Sequence, residues 1–160
     1  PASWAYNQDV KPYNEDLARA KLLIEKELPS LKNISITIST PPQYEKVAGQ
    51  IGQAWKKLGI ENKIEIFSFI PNDYDVILIA REIPLEPDQY YFWHSTQAGN
   101  LSNFKNPRID KLLEDGRRIY DKEERKNIYF DFQRFLAEEC PAVFLSHPEA
   151  WTIFRRSVLQ

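Results

Sequence analysis

The sequence has little of several residue types, and each shortage excludes a class of site. Its one cysteine, Cys140, excludes an internal disulfide, and Pro141 follows it at an expected helix end. We expect Cys140 to be a small buried thiol and not a nucleophile. The five glycines are scattered and form no phosphate-binding cradle. No run approaches the roughly 20 apolar residues of a membrane-spanning helix, and no signal peptide is recognisable.

Charge of one sign is also missing. The chain carries 21 basic and 23 acidic side chains, a net charge of −2. This balance gives no electrostatic reason to expect a nucleic acid partner or a polybasic membrane contact. A length of 160 residues, 42% of them hydrophobic, predicts one globular domain over residues 1–160. The order of its helix and strand patterns predicts that this domain is α/β. Pro1 in place of an initiator methionine, and no methionine elsewhere, suggest an excised segment of a larger protein.

Hydrophobic periodicity in the first half predicts a βαβ unit. A helix capped by Asn14 and stopped by Pro29 comes first. Ile34 to Ser39 alternates as a half-buried strand, residues 44–58 repeat with helical period up to Gly59, and Lys63 to Phe69 returns as a strand. The two strands should therefore lie parallel, joined by a right-handed crossover.

The run Val76 to Ala80 is apolar on both faces and predicts a strand in the middle of a covered sheet. The turn Pro71 to Asp73 before it is too short for a helical crossover, which favours antiparallel pairing with the preceding strand. The sequence therefore favours a mixed sheet flanked by helices.

The second half predicts mainly helices. Pro87 opens a short helix through Trp93; Asn106 and Pro107 begin a longer one whose apolar face ends with Ile119 and Tyr120. Asp121 caps the next, with Glu124 completing a capping box, and Ile128, Phe132, Phe135 and Leu136 form its core stripe. Two short closing strands are expected at Ala142–Ser146 and Trp151–Phe154.

Few residues of the sequence could form a catalytic or metal-binding site. His94 and His147 are the only imidazoles, and no cysteine pair accompanies them. Neighbouring acids such as Glu123 and Glu124 diverge by about 100° around a helix, so they do not converge on one atom. We predict no catalytic residue, no metal and no cofactor. A hydrolase centred on His94 with Ser95 lacks the glycines of a nucleophile elbow.

The stretch from Pro87 to Pro107 is the most informative part of the chain. It holds four consecutive aromatics, Tyr90 to Trp93, and then several uncharged polar residues. Four neighbours on a helix cannot all face one core, so some face another surface. The stretch also follows an expected sheet strand, at the edge where α/β sheets place ligands. It predicts either one wall of a solute pocket or, more simply, core packing with asparagines turning the chain.

At these residues the sequence resembles extracellular solute-binding proteins of the peptide-type, or family 5, ABC transporters. The resemblance covers most of the chain and depends on the order and spacing of modest motifs. These are Glu86 to Ser95, Asn106-Pro107, Ile109-Asp110, Leu112-Leu113, Tyr13 to Leu23, Leu58-Gly59-Ile60, and Asp121 with Arg125, Tyr129, Gln133 and Pro141.

The resemblance implies a periplasmic-binding-protein-like lobe, the carboxy-side half of a two-lobed clamp that closes on a solute. It implies a peptide or other small solute and a membrane permease as partners, and an extracytoplasmic location, periplasm or cell surface. Two features depart from the family. The loop Ala80–Leu85 lacks the aspartate that often pairs with a peptide amino terminus, where Glu82 could substitute. The connection Ile70–Asp73 is shorter than usual.

Three functions remain to be distinguished: a solute-binding lobe, a protein–protein interaction module using the aromatic segment 90–94, and the less supported hydrolase. For the first, Trp93 would stack on the solute and polar groups would orient it. The expected ligand-binding residues are Arg81, Glu82, Trp93, His94, Gln97 and Asn103.

Overall fold

A computed structural model describes residues 3–28, 35–84 and 86–147. The chain divides into two compact units. The sheet unit comprises residues 12–83, and the helical unit comprises residues 1–11 and 84–160. Whether residues 1–160 act as one domain, as expected, stays a prediction.

The described residues of the sheet unit form three parallel strands. These are β1 (Ser35–Thr40), β2 (Glu61–Ile66) and β3 (Val76–Ile77), in the order β2-β1-β3. Helix α2 (Glu45–Lys57) joins β1 to β2 after a short 3-10 turn, Pro42–Tyr44. The predicted parallel βαβ unit is therefore confirmed.

The expected position of the third strand was wrong. β3 is two residues long and pairs parallel with β1, not antiparallel with β2. Within the described residues it lies at the edge of the sheet, not in its middle. The chain between β2 and β3 passes over β1 without a helix, so a short connection did not force an antiparallel hairpin. The carboxylate of Asp75 accepts a hydrogen bond from the Thr37 amide (2.8 Å) and extends the pairing just before β3.

One face of the sheet packs under α2. Ile38 and Ala48 are fully buried, and the Asn62 side chain donates to the Gly52 carbonyl (2.9 Å). The alternation predicted for β1 holds only in part, since Ser39 and Thr40 are also buried. The Thr40 hydroxyl is satisfied there by the Leu78 carbonyl (3.0 Å).

Helix α1 (Leu17–Glu27) begins later than predicted. Its N-cap is Asp16, whose carboxylate accepts from the Arg19 amide (2.9 Å), and not Asn14. The predicted stop after α2 is confirmed: Gly59 has φ +79°, a left-handed conformation that glycine adopts at little cost. Ile34, Pro29 and the expected strand Trp151–Phe154 lie outside the described residues.

The helices in the described part of the helical unit are α3 (Tyr90–Trp93), α4 (Pro107–Arg118) and α5 (Lys122–Glu139). Its core lies between α4 and α5 and consists of Ile109, Leu113, Phe132, Phe135 and Leu136. The predicted caps are confirmed. Asn106 accepts from the Arg108 and Ile109 amides, and Asp121 accepts from the Glu124 amide. Tyr129, buried to 2% exposure, also belongs to the interior and was not predicted.

Three expectations for this unit were wrong. Tyr120 is 98% exposed, because α4 ends at Arg118 and Ile119 is already extended. Cys140 is exposed, since it adopts a left-handed conformation (φ 48°) just past α5. Residues 142–147 form no strand. In the part of the chain that is described, no helix has the length and apolar character needed to cross a membrane.

Candidate functional site

The aromatic helix α3 is held at its start by a carboxylate and a guanidinium. Asp88 accepts from the Tyr90 amide (3.0 Å) through one oxygen and from Arg117 (2.7 and 2.9 Å) through the other. The same guanidinium lies over the Tyr90 ring, 3.9 Å from its centroid. These hydrogen bonds to the Asp88 carboxylate raise the pKa of Arg117 above its ordinary value. This arrangement fixes where the aromatic run begins.

The aromatics of α3 do not all face the core, as the sequence predicts. Tyr90 and Trp93 pack against the α4–α5 core, whereas Tyr91 is 55% exposed. Trp93 is half-buried, and its ring centroid lies 6.1 Å from that of Phe144, which is 72% exposed. Trp93 therefore packs against the core and also lies beside the exposed ring of Phe144.

His94 is the most buried of the predicted ligand-binding residues, at 6% exposure. Its ring stacks on Tyr90 with centroids 4.2 Å apart. Nδ1 accepts from the Thr96 amide (3.3 Å) and lies 2.9 Å from the Thr96 hydroxyl. Nδ1 thus acts as an acceptor, which places the proton of the neutral ring on Nε2. Nε2 lies 3.5 Å from a Glu114 carboxylate oxygen without good hydrogen-bond geometry.

Asp110 on α4 holds the turn that follows α3. Its two oxygens accept from the Ser95 amide (2.8 Å) and the Ser95 hydroxyl (2.6 Å). Both bonds involve a charged acceptor and are short, which makes them stronger than neutral ones. Asp110 therefore fixes the direction in which the chain leaves α3.

The loop after this turn is shaped by an asparagine and a glycine. Asn100, 7% exposed, donates to the Phe104 carbonyl (2.7 Å) and accepts from the Ser102 hydroxyl (2.8 Å). Gly99 packs so closely on Tyr91 that an added Cβ would lie 2.6 Å from the Tyr91 carbonyl oxygen. Asn103 is exposed with φ 52°, a left-handed conformation that asparagine tolerates better than most residues.

The six predicted residues divide between the two units. Trp93, His94, Gln97 and Asn103 lie within eleven positions of one another in the helical unit, on α3 and the loop after it. Arg81, half-buried, and Glu82, exposed, follow β3 in the sheet unit. Their assembly into one binding surface stays a prediction.

The sequence interpretation missed the residues that hold the loop in place. Asp110 appeared only as part of the Ile109-Asp110 motif, with no role assigned. Gln133 appeared likewise, although it ties the amino-terminal segment to α5: its side chain donates to the Ala5 carbonyl (2.7 Å) and accepts from the Asn7 amide (3.1 Å). Neither contact has a local sequence signal, because the partners are distant along the chain.

The sheet unit has a small polar cavity of about 150 Å³, lined by Thr37, Ser39, Glu65, Asp73, Tyr74 and Asp75. A second cavity of about 270 Å³ lies against α1 and the end of α2. Neither includes a predicted ligand-binding residue. Among the described residues, no cluster of three or more histidine, cysteine, aspartate or glutamate side chains could hold a metal ion.

No protein-family model matches the chain. The chain is 28% identical over an alignment of 179 positions to oligopeptide-binding protein AppA of Bacillus subtilis, covering 92% of this chain and 32% of AppA. It is 24% identical to the dipeptide-binding protein of Escherichia coli, covering 99% of this chain and 33% of the relative. The chain thus spans about a third of the length of these curated relatives.

Comparison with solved structures gives the same kind of relative. AppA from Bacillus subtilis, in complex with a nonapeptide, matches with a TM-score of 0.75 and 26% identity, over 87% of this chain and 33% of AppA. The periplasmic binding protein DppA from Helicobacter pylori, in complex with the peptide STSA, matches with a TM-score of 0.78 and 25% identity, over 89% and 31% of the two chains. The chain is homologous to part of the peptide-binding proteins of family 5 ABC transporters.

This homology confirms the resemblance and the α/β fold expected from it. The family's loop and helix motifs now have physical roles in this chain. Asn106-Pro107 caps α4, Asp110 holds the turn after α3, and Gln133 anchors the amino-terminal segment. The relatives are named for the oligopeptides and dipeptides that they bind.

Proposed function

We propose that this chain supplies one wall of the binding site in an extracytoplasmic solute-binding protein that delivers peptides or related small solutes to an ABC permease. Homology over nearly the whole chain to oligopeptide- and dipeptide-binding proteins supports this most strongly. The chain spans only about a third of those relatives. The remainder of the binding site would therefore come from another lobe, which closes over the solute by a hinge motion.

The wall would be formed in part by the turn after α3. Trp93 offers a half-buried aromatic ring, and Gln97 and Asn103 offer uncharged polar groups. His94 is too buried to lose its partners without cost, so it orients the turn through Tyr90 and Thr96 while contacting the solute at most through its edge. Arg81 and Glu82 would supply the charged groups that select the ends of a peptide.

The test is calorimetric titration of the 160-residue chain with di-, tri- and oligopeptides. Half a pocket buries too little of a ligand to offset the entropy lost on association, so weak or undetectable affinity is expected. Tight binding to the isolated chain would contradict the half-pocket account.

A protein–protein interaction module is the second candidate. Val143, Phe144 and Leu145 are three consecutive apolar residues, each more than half exposed, and Phe144 lies beside Trp93. Apolar surface of this kind marks an interface when it is contiguous. Replacing Phe144 with Ser separates the two functions. In a solute-binding protein it should lower peptide affinity only slightly, whereas in an interaction module it should abolish capture of the protein partner.

A further inference from the structure

The outer edge of β2 is exposed and unpaired within the described residues. β1 occupies one side of β2, and no described strand lies on the other. Five of its six residues are exposed, including Ile64 (38%) and Ile66 (42%). An exposed strand edge is a template for pairing with another chain, so a six-residue edge of this kind needs an explanation.

The direction of the backbone groups on this edge is fixed by one hydrogen bond. The Phe67 amide donates to the Thr40 carbonyl of β1 (3.0 Å). Because backbone groups alternate along a strand, the amides and carbonyls of residues 61, 63 and 65 also point toward β1. Those of Asn62, Ile64 and Ile66 point outward and are available to a further strand.

We propose that this edge binds a second copy of itself, forming a two-fold symmetric dimer in which β2 pairs antiparallel with β2, Ile64 opposite Ile64. A two-fold axis perpendicular to the sheet keeps the α2 sides of both copies together, so residues directly opposite share a face. Ile64 then exchanges both hydrogen bonds with its copy, and Asn62 does so with Ile66.

Charge favours this register over the registers centred on the neighbouring residues. Centred on Ile64, the pairing places Lys63 opposite Glu65 on both sides of the axis. These positions do not exchange hydrogen bonds, and their Cβ atoms approach to about 5 Å, the closer spacing that favours opposite charges. Centring the pair on Lys63 or on Glu65 instead places like charges opposite each other, which is destabilising.

One other register has complementary charges, with Asn62 opposite Asn62 and Lys63 opposite Glu61. It requires Ile60 to pair with Ile64. Ile60 is only 7% exposed, and its amide already donates to the Trp55 carbonyl (3.1 Å). The register centred on Ile64 does not require Ile60 to pair. The charges of Lys63 and Glu65 and the burial of Ile60 together therefore favour the register centred on Ile64 when β2 pairs with the same strand of another copy.

The test is the mass of the 160-residue chain in solution, measured by light scattering over a range of concentrations. The chain should pass from monomer to dimer as its concentration rises. The Lys63→Glu and Glu65→Lys variants should each dimerise about tenfold more weakly or less well still, because both opposed pairs become like-charged. Mixed together they should dimerise as the unmodified chain does, since every position 63 again faces an opposite charge at position 65.

A Lys46→Glu variant is the matched control. It makes the same charge change at an exposed position of α2, and its dimerisation should equal that of the unmodified chain. The combined variant Lys63→Glu/Glu65→Lys should also dimerise, because each position 63 again faces the opposite charge at position 65 of the other copy. A chain that stays monomeric at every concentration would overturn the proposal, as would single variants that dimerise normally or a folded mixture that does not.

Discussion

At the scale of the residue, the turn after α3 depends on one carboxylate with two partners. Asp110 accepts hydrogen bonds from the amide and the hydroxyl of Ser95, and no local sequence pattern links the two positions. Tyr90, His94 and Thr96 form a second chain of contacts within the same turn. Asp110, which is not among the expected ligand-binding residues, therefore holds the turn that leads from Trp93 to Gln97, two residues that are.

Replacing Asp110 with Ala should lower the free energy of unfolding by about 2–3 kcal/mol, because the Ser95 amide and hydroxyl lose a charged acceptor. Ser95→Ala removes one of the two bonds and should cost about 1–1.5 kcal/mol. Urea denaturation measures both. Asp115→Ala is the control: it removes an exposed pair with Lys111 and should cost less than about 0.5 kcal/mol. Equal losses for Asp110 and Asp115 would contradict the assigned role.

Asp75 carries a pH dependence. The hydrogen bond from the Thr37 amide lowers the pKa of Asp75 below its ordinary value. Because the pKa of Asp75 is lower in the folded state than in the unfolded state, its ionised carboxylate stabilises the fold at pH values above about 3.9, the unfolded pKa. This stabilisation disappears as the pH falls through the folded pKa. The stability difference between the unmodified chain and Asp75→Asn should therefore be constant from pH 7 to about pH 5 and shrink below about pH 4. Thermal unfolding at several pH values measures it; a difference that grows at low pH would contradict the sign.

At the scale of the element, the helix ends that were predicted correctly are those whose signal lies within a few residues. Asn106-Pro107, Asp121 with Glu124, and Gly59 each act on the backbone next to them. The predictions for the pairing of β3 and for the burial of Tyr120 and Cys140 were wrong, because these properties depend on where a neighbouring element ends. The roles of Asp110 and Gln133 depend on partners far along the chain.

Gly59 gives a direct test of a predicted helix stop. Its φ of +79° suits glycine, and nothing lies within 4 Å of an added Cβ, so a substitution there costs only backbone strain. Gly59→Ala should lower the free energy of unfolding by about 1 kcal/mol, and Gly59→Asn by less. Gly49→Ala is the control, because its φ is not left-handed and its Cβ would make only an ordinary contact, 4.0 Å from Ile64. Equal effects at both glycines would contradict this explanation.

Gln133 should determine whether the amino-terminal segment stays on α5. Gln133→Ala removes its bonds to Ala5 and Asn7 and should increase hydrogen exchange at the Asn7 amide at least about tenfold, equivalent to about 1.4 kcal/mol of local stability. Exchange within the α4–α5 core should change much less. Gln53→Ala, at an exposed position of α2, is the matched control. Unchanged exchange at Asn7 would show that the segment is held by other contacts.

At the scale of the whole molecule, the sequence sufficed for the α/β class, the parallel βαβ unit and the likeness to peptide-binding proteins. It sufficed because these depend on periodicity and on the order of motifs. The predicted binding residues are a harder case. Trp93 and His94 carry both a packing role and a proposed binding role, and a linear pattern does not separate the two.

The most direct measurement of the central claim uses a chimera in which these 160 residues replace the aligned third of AppA from Bacillus subtilis. Calorimetry with a nonapeptide, and with shorter peptides, then reports whether the chain completes a binding site. We expect a cooperatively unfolding chimera that binds at least one peptide class, with affinity reduced about tenfold or more by Trp93→Ala and unchanged by Tyr120→Ala. A cooperatively folded chimera that binds no peptide, or one indifferent to Trp93, would contradict the account.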